Sequence, residues 1–110
     1  MFGKPHICVL PEGECVKKVF AVLVNYNGGS TTIDCVLSLQ KCGYSELTVV
    51  IVDNASTDDS YDILNTAINS IPEAVVTKSD INGGFSAGNN IGFKYALAHG
   101  ADYILMLNND

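Results

Sequence analysis

Three stretches of this 110-residue chain end a hydrophobic run on side chains that can hydrogen-bond or ligate. Val49-Val50-Ile51-Val52 gives way to Asp53-Asn54-Ala55-Ser56-Thr57-Asp58. Phe20 to Val24 gives way to Asn25-Tyr26-Asn27, and Tyr103 to Leu107 to Asn108-Asn109-Asp110. A β-branched apolar run reads as a strand covered on both faces, as in a parallel sheet. Ligands of open α/β sheets sit beyond the carboxyl ends of such strands. Three polar ends on one edge would gather amides, hydroxyls and carboxylates around a single crevice. The chemistry open to them is hydrogen bonding to a polar ligand and, at a carboxylate, retention of a divalent cation.

The elements that must position these groups follow in order. A strand is predicted over 18–25, with Asn27-Gly28-Gly29-Ser30 as the turn out of it. Thr31 and Asp34 fit a capping box for a helix over 32–42, with Cys35, Val36, Leu39 and Cys42 on its apolar face and Gly43 closing it. A second strand covers 47–52. Asp58-Asp59-Ser60 then starts a helix whose stripe is Tyr61, Leu64, Ile68 and Ile71, stopped by Pro72. Strand 74–77, a loop at 79–84, a helix from Ser86 or Ala87 to His99 and strand 103–107 complete the pattern. Asp58 is expected to cap its helix, and His99 to complement a helix dipole. The β-α-β-α-β-α-β order predicts a doubly wound, mainly parallel sheet in three α/β/α layers. Residues 1–17 read as a tail or, at Ile7–Leu10, a short edge strand, leaving 18–110 as the folded segment.

Composition narrows the partners. Acids outnumber bases 12 to 6 and there is no Arg, which disfavours nucleic acid. An anionic ligand would need a metal, helix N-termini or backbone amides. Cys8, Cys15, Cys35 and Cys42 form no C-x-x-C pair, so zinc is not expected; Cys35 and Cys42 read as small core residues. His6 has no visible partner. No run is long enough for a membrane span, and the acids after Leu10 do not suit a signal peptide. A cytoplasmic location is the default.

Two nucleotide motifs fail. The turn after the first strand, Asn25-Tyr26-Asn27-Gly28-Gly29-Ser30, lacks the G-x-G-x-x-G of dinucleotide-binding folds. Gly83 and Gly88 have P-loop spacing, but Asn89-Asn90 replaces the lysine and hydroxyl.

From Val19 onward the chain resembles the amino-terminal, nucleotide-binding half of a family 2 glycosyltransferase with the GT-A fold. Four stretches carry the likeness in order: Val22 to Asn27, Val52 to Asp58, Asn82 to Gly92 (NGGFSAGNNIG) and Leu107 to Asp110. The glycine-rich stretch is most similar to rhamnosyltransferase-type members. The resemblance implies transfer of a sugar, with inversion, from a UDP- or dTDP-linked donor to an acceptor hydroxyl on a glycan, lipid-linked sugar or protein. It places Asp53 at the base, where the alternative is an acid capping the turn through Ser56. Asn25 and Asn27 would line the nucleotide pocket or serve as turn residues. Asn82, Gly84 and Asn89 lie along the nucleotide in this reading, whereas Gly88 and Gly92 are expected to allow close helix packing. Asp110 stands where the family holds Mn2+ or Mg2+, with Asn108, in place of an acid, as a ribose or metal-shell contact. The general base is expected beyond residue 110, making the chain an inactive fragment of an enzyme that works in the cytoplasm or at the inner face of the membrane. The alternative is a non-catalytic nucleotide-binding or interaction module that keeps only this half.

Overall fold

In the computed structural model, the described residues are 17–107. Four strands form one parallel sheet: β1 (Val19–Asn25), β2 (Leu47–Asn54), β3 (Ala74–Ser79) and β4 (Tyr103–Leu107). They are joined by α1 (Gly29–Gln40), α2 (Ser60–Ala67, followed by a 3-10 turn at Ile68–Ser70) and α3 (Phe85–Ala98). The spatial order is β3-β2-β1-β4. The chain winds outward from β1 through β2 to β3, then reverses across the sheet to β4. With right-handed crossovers, that reversal puts α3 on the opposite face from α1 and α2.

Alternation along the central strands divides the core accordingly. Ala21, Leu23, Val49 and Ile51 join Val36, Leu39, Leu64 and Ile71 in one buried cluster. Phe20, Val22, Val50 and Val52 join Ala96 in the other. Both faces of β1 and β2 are thus covered, which is why these strands read as continuous apolar runs. Among the described residues β4 is an edge strand, paired with β1 alone, and its Tyr103 and Met106 are exposed.

Register brings the polar ends together. Asn25 pairs with Asp53, and Asn54 with Ser79. β2 and β3 each run two residues beyond their predicted ends, because Asp53, Asn54, Lys78 and Ser79 stay in the ladder despite their polarity. Leu107 of β4 pairs with Leu23, and Asn108 and Asp110 lie outside the described residues. So do His6, Cys8, Cys15 and the proposed edge strand at Ile7–Leu10.

Helix α1 departs from expectation at its start. It begins at Gly29 with Gly28 as N-cap and no side-chain cap, so the Thr31–Asp34 box does not form. The earlier start turns Thr32 inward, where it is fully buried. The helix ends at Gln40 with Lys41 as C-cap, two residues short of expectation, and Gly43 turns the chain just beyond it at φ +75°. Cys35 and Cys42 are free and half-buried instead of central to the core; burial pushes the Cys35 thiol pKa up. His99 closes α3, with Nδ1 2.8 Å from the Tyr95 carbonyl oxygen and its ring stacked on Tyr95.

Close approach of α3 to β1 depends on two glycines. A Cβ at Gly88 would lie 2.8 Å from Val24 Cγ1, and one at Gly92 only 2.3 Å from Val22 Cγ1. Val22 is fully buried and β-branched, so it has little freedom to yield. Gly92→Ala gains up to ~1 kcal/mol of helix propensity but incurs an overpacking cost of about 1–3 kcal/mol. The expected outcome is a net loss of about 1–2 kcal/mol in urea unfolding, with unchanged helix content.

Candidate functional site

The carboxyl ends of β1 and β2 are tied by one buried network. Asn25 has no exposed surface; its Nδ2 donates to Asp53 Oδ1 at 2.9 Å and to Ser56 Oγ at 3.3 Å. Its Oδ1 accepts from Thr32 Oγ1 at 2.7 Å, so one amide joins β1, β2 and α1. Asp53 is equally buried. Ser56 donates its hydroxyl to Oδ1 at 2.6 Å and its backbone N–H to Oδ2 at 3.2 Å. That closes an Asx turn around Ala55, which adopts φ +60°. The turn-capping role is therefore present in the fold, whatever else Asp53 does.

Asn27 forms the outer layer. Its backbone, also at positive φ, donates N–H to Ser56 Oγ at 3.0 Å. Its Oδ1 accepts from the backbone N–H groups of Thr57 and Asp58 at 2.8 and 3.2 Å. Asn27 is exposed, as are Tyr26 and Thr57 beside it. The N-cap of α2 is Asp59, with no side-chain cap, so Asp58 does not take the capping position expected of it. It lies one residue earlier and accepts the Ser60 N–H at 2.9 Å, and its hydrogen bonds with Ser60 hold its pKa below the usual carboxylate range. The Ser60 hydroxyl in turn accepts the Gly29 N–H, bringing the starts of α1 and α2 together.

A second group of residues faces the start of α3. Asn54, 2 % exposed, donates Nδ2 to Asn82 Oδ1 at 2.9 Å and to the Gly84 carbonyl at 3.1 Å. Asn82 Oδ1 also accepts the Gly84 N–H at 2.9 Å. Gly84, at φ +93°, is the N-cap of α3. The loop from Ile81 to Ser86 is exposed, and the unpaired N–H groups of the first α3 turn can receive an anion. Asn89 is on the buried side of this helix; its Oδ1 and Asn54 Oδ1 are buried acceptors with no partner among the described residues.

The structure thus brings Asn25, Asn27 and Asp53 into one network, and Asn82 and Gly84 into another. Both lie at the end of β2. Ser56, expected only as the end of a turn, and Asn54, given no contact of its own, are the connecting residues. Two consecutive polar residues, Asp53-Asn54, closing an apolar strand are the signal that both faces of β2 carry polar work. A cavity of about 320 Å³ lined by Lys18, Phe20, Glu46, Leu47, Tyr95 and His99 lies at the opposite end of the strands and shares none of these residues.

Removing the central amide tests the network. Asn25→Ala should cost about 2–3 kcal/mol in chemical unfolding, because three hydrogen bonds are lost in a dry site. Asn25→Asp should cost more at pH 7, since a second carboxylate would face Asp53 Oδ1. Repulsion raises the folded-state pKa of that pair, so the added penalty exists above it and fades as pH falls through it. A loss in Asn25→Asp that does not shrink on acidification would contradict this arrangement.

Comparison with known proteins bears on what the arrangement belongs to. Curated protein sequences give no match. Among solved structures the chain is similar to the mannosyltransferase PcManGT from Pyrobaculum calidifontis, in complex with GDP-Man and Mn2+. The TM-score is 0.66 at 20% identity, over 72% of this chain and 24% of that one. This likeness establishes the fold, and the chain spans only that minor part of the mannosyltransferase. The family model for Glycosyl transferase family 2 matches residues 20–110, taking in both polar networks and the strands that carry them. The protein belongs to glycosyl transferase family 2.

Proposed function

We propose that the chain is the donor-binding part of a glycosyltransferase that moves a sugar from a nucleoside diphosphate to an acceptor hydroxyl, with inversion at the anomeric carbon. The observation that supports this most is the Asn25–Asp53 pairing at adjacent strand ends in a chain of this family. In this reading Asp53 Oδ2, which takes a single internal donor, accepts a base N–H once the nucleotide seats. Uracil and thymine offer such an imide N–H, which makes UDP- or dTDP-sugars the proposed donors. Guanine offers an N–H of the same kind, and the similar mannosyltransferase carries GDP-Man. Asn27 and Asn82, exposed on either side, contact the nucleotide, and the Gly84 loop runs beside it with Asn89 beneath.

In this reading a divalent cation, Mn2+ or Mg2+, would be held by Asp110, which lies outside the described residues. The described residues bring no three acidic, His or Cys side chains together, and Asp53 is engaged internally. The absence of Arg leaves no guanidinium for the diphosphate. When bound, the cation supplies neutralisation of the leaving diphosphate. Asn108 completes the ribose or metal shell. In this reading the general base that deprotonates the acceptor is none of the donor-site residues named above. The acceptor is a glycan, lipid-linked sugar or protein. Among the described residues no helix is long and apolar enough to cross a membrane. Action in the cytoplasm, at the inner face of the membrane in the full-length enzyme, completes the proposal.

Calorimetric titration of UDP, dTDP and GDP with and without Mn2+ tests it. The metal should strengthen diphosphate binding about tenfold or more while leaving uridine binding nearly unchanged. Equal binding with and without metal would remove Asp110 from the site. Asp53→Asn should lower both nucleotide affinity and Tm, because Asp53 serves the fold as well as the ligand. Loss of Tm with unaltered affinity would confine it to the turn.

A further inference from the structure

Asn54 sits where the end of β2 meets the loop that opens α3, and its chemistry there is directional. The Gly84 carbonyl can only accept, so the Asn54 atom 3.1 Å away must be the Nδ2 donor. The Gly84 N–H can only donate, so the Asn82 atom 2.9 Å away must be the Oδ1 acceptor. Two backbone groups of one glycine therefore fix the orientation of both amides. The Nδ2 of Asn54 also donates to that same Asn82 oxygen. Position 54 needs a donor, whereas position 82 needs only an acceptor.

We propose that Asn54 is a positioning residue for the donor site: it clamps the Asn82–Gly84 loop to the end of β2 and so sets the first turn of α3 relative to Asp53. This rests on the donor-site reading above. Asn54 and Asp53 are consecutive in β2, so their side chains leave opposite faces of the sheet. Asp53 binds inward to Asn25 and Ser56, while Asn54 grips the loop on the α3 side. One strand end thereby locates both halves of the crevice. Gly84 itself cannot be held by side-chain packing, since it has none and stands at φ +93° with open space around its Cβ position. Its polar groups are the available handles, and Asn54 and Asn82 take both.

Two isosteric substitutions separate this role from packing. Asn54→Asp replaces the donor by an acceptor facing the Gly84 carbonyl and Asn82 Oδ1, whereas Asn82→Asp keeps the acceptor that Asn54 and Gly84 use. In the 110-residue chain, NMR hydrogen exchange at the Gly84 amide should rise about tenfold or more in Asn54→Asp and stay within about twofold in Asn82→Asp. Affinity for UDP or GDP with Mn2+ should fall about tenfold in Asn54→Asp. Should that variant fail to fold, Asn54→Ala removes the donor without adding charge and should show the same rise in exchange and fall in affinity. Equal exchange in the position-54 and position-82 variants would overturn the clamp. A split in exchange with unchanged nucleotide affinity would overturn its assignment to the donor site. Absence of nucleotide binding in the unsubstituted chain would count against the donor-site reading, while the exchange split would still decide the clamp.

Discussion

The buried hydrogen bond between Asn25 and Asp53 is the constraint on which the rest of the site depends. It joins two parallel strands across 28 residues of sequence, in a place with no exposed surface. A carboxylate there without donors would carry a large desolvation penalty. Asn25 and Ser56 supply those donors, and Ser56 can do so only because Ala55 turns the chain at φ +60°. Thr32, reaching from α1 to the other side of the same amide, fixes the helix that follows β1. Polar satisfaction, more than apolar packing, sets where the strands end and the loops begin.

That logic divides the site into a dry interior and a wet rim. Asn25, Asp53 and Asn54 hold backbone and loops, and Asn27, Thr57 and Asn82 present polar atoms outward. Preorganisation of this kind limits the ordering needed when a ligand arrives. The glycines contribute differently. Gly88 and Gly92 let α3 lie directly on Val24 and Val22, which brings its first turn down to the level of the strand ends.

Much of this was legible in the residues because β-branched runs and turn chemistry agree. The four strands, their order along the chain and the turn at Gly43 just past α1 all follow from local patterns. The placement of Asn25 beside Asp53 follows from the doubly wound topology. The start of α1 was not legible: Thr31 and Asp34 make a plausible local cap, but the contact of Thr32 with Asn25 and of Gly29 with Ser60 draws the helix back to Gly29. The extension of β2 and β3 was hidden for the same reason, since polar residues at a strand end look like loop until their partners on other elements are known. Direction of the amides at 54 and 82 could not be read from residue type at all, because it is set by the backbone of Gly84.

The reversal of winding between β3 and β4 has a consequence for the order of assembly. β1, β2 and β3 are neighbours in sequence and can pair as soon as each is available, with α1 and α2 covering one face. β4 pairs with β1 across the whole intervening chain, Val19 against Tyr103, so that loop must be closed before its contacts are gained. Until α3 docks, the side carrying Val22, Val50 and Val52 stays bare. The face that α3 covers and the edge that β4 occupies thus depend on the longest loop closure in the sheet, whereas β1, β2 and β3 are held by shorter ones.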